Sequence, residues 1–519
     1  MRSFSPDLKE MVISTVPGKC ISVGWSHQEE RQLVRKIDIR CMPALVIVRI
    51  ILIRKGRKTD ICRNKLFILN FLRGNLANAR LKGLQTDLNL NDTQYATCIS
   101  VLFAGYIFMQ VPSNLVMNAI PRPRLFMALV ASLWGTISAL TSLCDNFSHL
   151  VICRFFLGFV EAAFYPSAVY YLSRWYTRQE VGLRIAFLNA GNMLAQGLGG
   201  LLAAGILGGM EGVKGIRGWR WLYIIEGSIT VAFGLLLPFV LADYPASTDW
   251  LSNRERAIAQ GRLVTDVGII DNPEDMERSG SGAIRGIWLA ISDIKVWTLA
   301  FMYFTYIMGL SFASYMPTIT ATLGFSTTIT LLLTFPPWAF ATLYALASSW
   351  HSDRAGEKFW HIAGAYGFAI LGYIVALTAN SIAGKYVSLF GMCMGYSGGI
   401  IILGWISTSI PRPPIKRAAS IAFINAFANI GQIPTSYLWP TKWGKRYWQS
   451  FTTEICLMVL SITIAFAYRQ HLISQNKKLD KGETEAYITD ERTVKQSADL
   501  VHISMQQEEA LLHSFRYLY

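Results

Sequence analysis

Charge is scarce in this chain. Asp, Glu, Lys and Arg make up 16% of the 519 residues against 52% hydrophobic residues, too little for an ordinary soluble domain of this size. Paired cysteines are missing too. The eight are Cys20, Cys41, Cys62, Cys98, Cys144, Cys153, Cys393 and Cys456, and no two stand at C-x-x-C or metal-ligand spacing. Those inside apolar runs behave as small hydrophobes. The histidines are dispersed, so no metal site is read. No P-loop and no H-E-x-x-H helix occurs, which removes ATP-driven pumping and zinc hydrolysis. Neither enzyme activity nor a cofactor is expected. The stretch before Cys41 lacks the apolar core of a cleavable signal peptide.

What is present is a train of long apolar runs. A bilayer core needs about 20 apolar residues per helix, and the runs predict six spans: Met42–Asn78, Tyr95–Ile120, Leu125–Leu143, Leu150–Trp175, Ile185–Leu207 and Trp221–Leu241. Six more follow at Trp297–Thr318, Thr328–Trp350, Trp360–Leu377, Tyr386–Ile410, Ala418–Leu438 and Phe451–Tyr468. The domains expected are an N-terminal segment (1–41), a six-helix bundle (42–241), a central loop (242–295), a second six-helix bundle (296–469) and a tail (470–519). An even number of spans puts both termini on one side. The basic entry, loop and tail assign that side to the cytoplasm. Gln28–Arg40 reads as a charged amphipathic helix on the membrane surface. The net charge of +15 is scattered among loops, so no nucleic-acid partner is expected.

The first span is interrupted by Arg49, Arg54, Lys55, Arg57, Lys58, Asp60, Arg63 and Lys65. Each costs about 2.5–3.5 kcal/mol at mid-bilayer. Removing 49–67 joins the flanks into one apolar helix, so this stretch reads as an insertion, as an unspliced intron would leave. A loop between two short re-entrant pieces is the alternative.

Ionisable groups inside spans face cavities or partners. Arg154 and Glu161 stand seven residues apart on one helix face, with Gly158 between them. They read either as a proton-coupling network or as a packing ion pair. Glu226 lies within the sixth span, and Arg220 precedes it. Asn189, Asn192 and Gln196 line one stripe of the fifth span; Asn425, Asn429 and Gln432 line one of the eleventh. If the halves are repeats, both stripes occupy equivalent places facing a central cavity. Interhelical glue is the plainer reading. Tyr303, Tyr306 and Phe312 could cover an aromatic solute or simply pack. Gly391, Gly395 and Gly399 form a close-packing ridge. Asp353, Arg354, Gly356 and Lys358 form a tight turn between spans, with Asp353 able to pair with an arginine or a helix N-terminus and hold one closed state. Asn91-Asp92-Thr93 and Asn146-Phe147-Ser148 are glycosylation triplets.

D-R-x-G-x-K at Asp353–Lys358 and R-F-x-L-G-x-x-E-A-x-F-x-P at Arg154–Pro166 resemble major facilitator superfamily motifs. Leu33–Pro43, Gly74–Leu84, Gly105–Leu115, Tyr170–Glu180, Gly218–Gly227, Asp243–Arg256 and Ser352–His361 extend the likeness to the fungal anion:cation symporters, the allantoate and nicotinate permease group. That resemblance implies an all-α membrane protein of twelve helices, two six-helix bundles around a central cavity, and proton-driven alternating access. It implies small organic anions as substrates, of nicotinate, allantoate or pantothenate type. Arg73, Asn75 and Arg154 then become candidate anion or coupling residues. Here Phe71-Leu72-Arg73-Gly74-Asn75 lacks the aspartate of the family's L-D-R-x-N, which shifts coupling to Glu161 or marks an impaired copy. A monomer in the plasma membrane is expected, with anion and protons as partners. The competing readings are a secondary-metabolite exporter or facilitator, and a nutrient receptor on a carrier scaffold.

Overall fold

The computed structural model describes residues 8–16, 19–45, 71–120, 122–245, 248, 250–267, 286–410 and 414–480. The expected insertion at 49–67, residues 268–285 of the central loop and the tail beyond 480 lie outside the described residues, as does the side chain of Arg73. The chain divides into two compact units, one of residues 1–270 with 324–335, the other of 271–323 with 336–519.

The first unit opens with strands β1 (Leu8–Val16) and β2 (Lys19–Ser26), antiparallel with Leu8 opposite Ser26. This hairpin was not among the expected elements, although Pro17-Gly18 between β-branched runs is a turn signal. Helix α1 (His27–Leu45) follows. Its stripe of Leu33 and Ile37 is buried by protein, 2% and 0% exposed, so the apolar face expected to meet lipid does not do so. Ion pairs hold it instead: Lys36–Glu255 at 2.7 Å, Arg254–Glu29 at 2.8 Å and Arg184–Asp38 at 2.8 Å.

The longer helices that follow in this unit are α2 (Phe71–Arg80), α3 (Asp92–Ala119), α4 (Pro123–Leu140), α5 (Phe147–Glu161), α6 (Phe164–Ser173), α7 (Arg178–Gly209), α8 (Gly218–Val240) and α9 (Asn253–Val267). Segment 324–335 adds α12 (Thr327–Leu333), named in chain order. The expected fourth span is two helices, α5 and α6, parted at Ala162-Ala163. Pro166 has no N–H for the Ala162 carbonyl, and the Ser113 hydroxyl reaches that carbonyl at 3.5 Å. Glycine sets the closest packing. An added Cβ on Gly135 would lie 2.7 Å from Val231 N, and one on Gly227 2.6 Å from Ala139 N, so α4 and α8 meet backbone to backbone. Gly105 and Gly158 do the same for α3 and α5.

The second unit contains α10 (Ile294–Met308), a 3-10 turn (Ser311–Tyr315), α11 (Met316–Ala321), α13 (Phe335–Ala355), α14 (Phe359–Thr378), α15 (Ile382–Met394), α16 (Tyr396–Ser409), α17 (Pro414–Ile430) and α18 (Trp448–Asp480). The seventh span is thus interrupted between Met308 and Met316. Gly391 lies where a Cβ would come 2.7 Å from the Phe368 carbonyl, so part of the expected ridge closes α15 on α14. Gly399 abuts the Tyr306 ring. Among the described residues, eight helical segments are long and apolar enough to cross a bilayer. Four expected spans fall outside that set: the first reaches into residues 46–70, the second carries Gln110 and Pro112, and the fourth and eleventh are broken.

Candidate functional site

Within the first unit, α2, α7 and α8 bring several expected residues together. Asn75, fully buried, donates its amide N–H to Glu226 Oε2 at 2.7 Å across 151 positions of sequence. A Cβ on neighbouring Gly74 would sit 3.5 Å from Gln196 Oε1, so the α7 amide stripe borders the same cluster. Tyr165 donates its hydroxyl proton to Asn189 Oδ1 at 3.2 Å. Asn192 is half-buried on the same stripe. The spacing of three, four and seven residues places Asn189, Asn192 and Gln196 on one stripe of α7, each half-buried.

Arg154 is 3% exposed. Its Nε and Nη1 have no hydrogen-bond partner among the described residues. Glu161, one helical repeat further along α5, is buried too, but the two form no ion pair with each other, so the packing-pair reading does not describe this geometry. Seven residues span about 10.5 Å of helix axis, beyond direct contact. Instead the Arg154 charge acts on the hydroxyls of Tyr95 and Tyr223, and Tyr223 also feels Glu226 one turn along α8. Sequence reading missed both tyrosines. Arg220, at the start of α8, pairs with Asp145 at 2.8 Å and lies 3.9 Å from Asp87.

In the second unit the tyrosines stack on one another. Tyr303 and Tyr306 lie 5.5 Å apart at 12°, and Tyr306 and Tyr366 lie 5.4 Å apart at 15°. Tyr306 donates to the Tyr396 carbonyl at 3.2 Å, and Phe312 is fully buried against Trp338. Asn429 returns its amide to the Asn425 carbonyl at 2.8 Å, while Gln432 lies beyond the break at Gly431. The eleventh-span stripe is thus divided between two helical pieces. Glu454 in α18 is fully buried and was not singled out from the sequence, although a carboxylate inside TTEICLMVL is a legible signal.

The turn between α13 and α14 is built as a small cage. Lys358, 5% exposed, pairs with Asp353 at 2.5 Å, so the partner of Asp353 is a lysine rather than an arginine. Arg354 stands over the Trp350 ring at 5.6 Å. Gly356 takes φ 65°, the left-handed region that favours glycine. Ser352 donates to the Glu357 carbonyl at 2.7 Å. The two glycosylation triplets serve as helix starts: Asn91 Oδ1 accepts from Gln94 N at 2.8 Å, and Asn146 Oδ1 from His149 N at 2.9 Å.

A polytopic helical fold with buried polar groups in each unit defines a membrane carrier. Residues 66–435 match the Major Facilitator Superfamily, and the chain belongs to that family. It is 30% identical over 423 residues to the MFS-type transporter cnsO of Penicillium expansum, covering 78% of this chain and 76% of that one. A protein of Agrobacterium vitis named for tartrate transport is 30% identical, with 78% and 83% covered. The high-affinity nicotinic acid transporter of Saccharomyces cerevisiae is 27% identical, with 84% and 77% covered. Among solved structures, the bacterial homologue of the human lysosomal transporter Spinster superposes with a TM-score of 0.59 at 14% identity, over 79% of this chain and 95% of that one. The fold is that of the superfamily, and the chain is a secondary transporter.

Proposed function

We propose that the chain co-transports a small organic anion with protons by alternating access, as a member of the allantoate and nicotinate permease group. The observation that carries this reading is Arg154, buried at 3% exposure with two guanidinium nitrogens unpaired. An uncompensated buried cation is costly, and an incoming carboxylate offsets that cost. Relatives named for tartrate and nicotinic acid point to the same chemistry, since both are carboxylic acids. Arg154 receives the anion, the Asn75–Glu226 pair and Tyr223 relay the charge change, and Glu161 takes the proton. The Asn189, Asn192 and Gln196 amides recognise the polar remainder of the solute. The bundles run 42–241 and 296–469 with residues 49–67 an insertion, and the carrier works as a monomer in the plasma membrane.

The test is uptake of labelled nicotinate, tartrate and allantoate by cells unable to import them, expressing the chain with and without residues 49–67. One solute should accumulate, and Arg154→Gln should raise its KM about 10- to 100-fold, the loss of a charged hydrogen bond of about 1.5–3 kcal/mol. Uptake no greater than in cells lacking the chain, or an unchanged KM in the variant, overturns the proposal.

A further inference from the structure

In each unit the last membrane helix carries a buried glutamate that the opening helical segment holds: Glu226 by Asn75 in the first, Glu454 by Ser311 and the Phe312 backbone in the second. The first pair belongs to the proposed site. Glu454 has no role there, and its hydrogen bonds can be counted.

Glu454 Oε1 accepts from the Ser311 hydroxyl at 2.7 Å and from Phe312 N–H at 2.9 Å. The Ser311 oxygen in turn accepts from the Trp439 indole N–H at 3.0 Å, so the single serine proton is committed to Glu454. Oε2 has no partner in the structure although the residue is fully buried. The remaining polar neighbour of the carboxyl is the Tyr373 hydroxyl. Its one proton goes to the Gly309 carbonyl at 2.8 Å. No lysine or arginine among the described residues acts on the carboxyl; Tyr396 and Cys393 are the further titratable groups that act on Tyr373. The cluster is short of one donor. A bare carboxylate here would be a buried charge with neither counter-ion nor full hydrogen bonding.

We infer that Glu454 carries a proton on Oε2 in this conformation and forms a proton-dependent latch on the break in the seventh span. The protonated oxygen donates toward Tyr373, which donates to Gly309, while Oε1 keeps Ser311 and Phe312. All three gripped residues, Gly309, Ser311 and Phe312, lie in the interruption between α10 and α11. When the proton leaves to water, a charged carboxylate confronts a phenol oxygen whose proton is spent, and the latch opens. Its part in coupling rests on the transport reading; its protonation does not.

The experiment therefore uses protons alone. The full chain in lipid nanodiscs, without any anion, is stepped in pH and its infrared difference spectrum recorded. The carbonyl stretch of a protonated carboxylic acid should be present in the wild type and in Glu226→Gln at neutral pH. Part of it should vanish in Glu454→Gln, whose amide supplies an N–H in place of the proton and keeps the oxygen for Ser311. In Tyr373→Phe the same band should move to the higher frequency of a weaker hydrogen bond. A carboxylic-acid band unchanged in Glu454→Gln overturns the inference. If that variant does not fold, an unmoved band in Tyr373→Phe does so. Because no transported solute is needed, failure of the anion-symport reading leaves this readout intact.

Discussion

At Gly158 a single added methyl group would land on the Leu102 carbonyl, and at Gly105 one would land on the Phe155 carbonyl. Neither obstacle is a flexible side chain, so α3 and α5 must part to admit it. Gly158→Ala should cost about 1–3 kcal/mol through overpacking, read as a lower thermal unfolding midpoint in detergent, with the protein yield falling alongside. Residues of this kind were half legible. Gly158 stood out between Arg154 and Glu161, but the need for it lies on another helix. Glu454 was overlooked because, at the edge of an apolar run, a glutamate resembles an interface residue. Only its partner 143 positions away marks it as buried and held. Arg154, Asn75 and Glu226 were legible because polar groups inside apolar runs are costly wherever the chain takes them.

Helices were readable where the apolar run is unbroken, as in α4, α8 and α14, and less so where backbone chemistry intervenes. Pro166 and Gly431 divide two expected spans, and the pause at Gly309–Tyr315 divides a third. The docking of α1 was not foreseen, since a charged amphipathic sequence fits a lipid surface as well as a protein one. Its attachment makes an acid-sensitive element. Burial alone would raise the Glu255 carboxyl, but the Lys36 ammonium at 2.7 Å and the Ser252 N–H at 2.9 Å outweigh it and leave it below its ordinary value. Glu29 is lowered in the same direction, by the Ser26 N–H first and by Arg254 next. A carboxyl depressed in the folded state stabilises above its unfolded value, about 4.3, and loses that contribution as pH falls through the folded value. The Lys36–Glu255 pair is part-exposed, at 36% and 28%, and contributes about 0.2–1 kcal/mol. Protease access to α1 should therefore stay low at neutral pH and rise only below about pH 4, and Glu255→Gln should flatten that acid step.

At the scale of the molecule, composition was enough to assign a bilayer and the motifs to assign the superfamily, because both rest on local residue chemistry. The cargo was not legible, since it depends on how side chains from separate helices are disposed in space. If Glu161 takes the coupled proton, Glu161→Gln should abolish accumulation against a gradient while leaving anion exchange partly intact, measured in proteoliposomes with and without an imposed pH difference. Undiminished uphill uptake removes Glu161 from that role. The seam of Gly135, Gly227 and Gly234 has a mechanical corollary. With main chain resting on main chain, α4 and α8 share load as a single beam, with no slack for lipid tails to wedge into. Among the described residues of the first unit, the break at Ala162-Ala163 inside an expected span offers a joint that this beam lacks, much as a truss flexes at its pins and not along its struts.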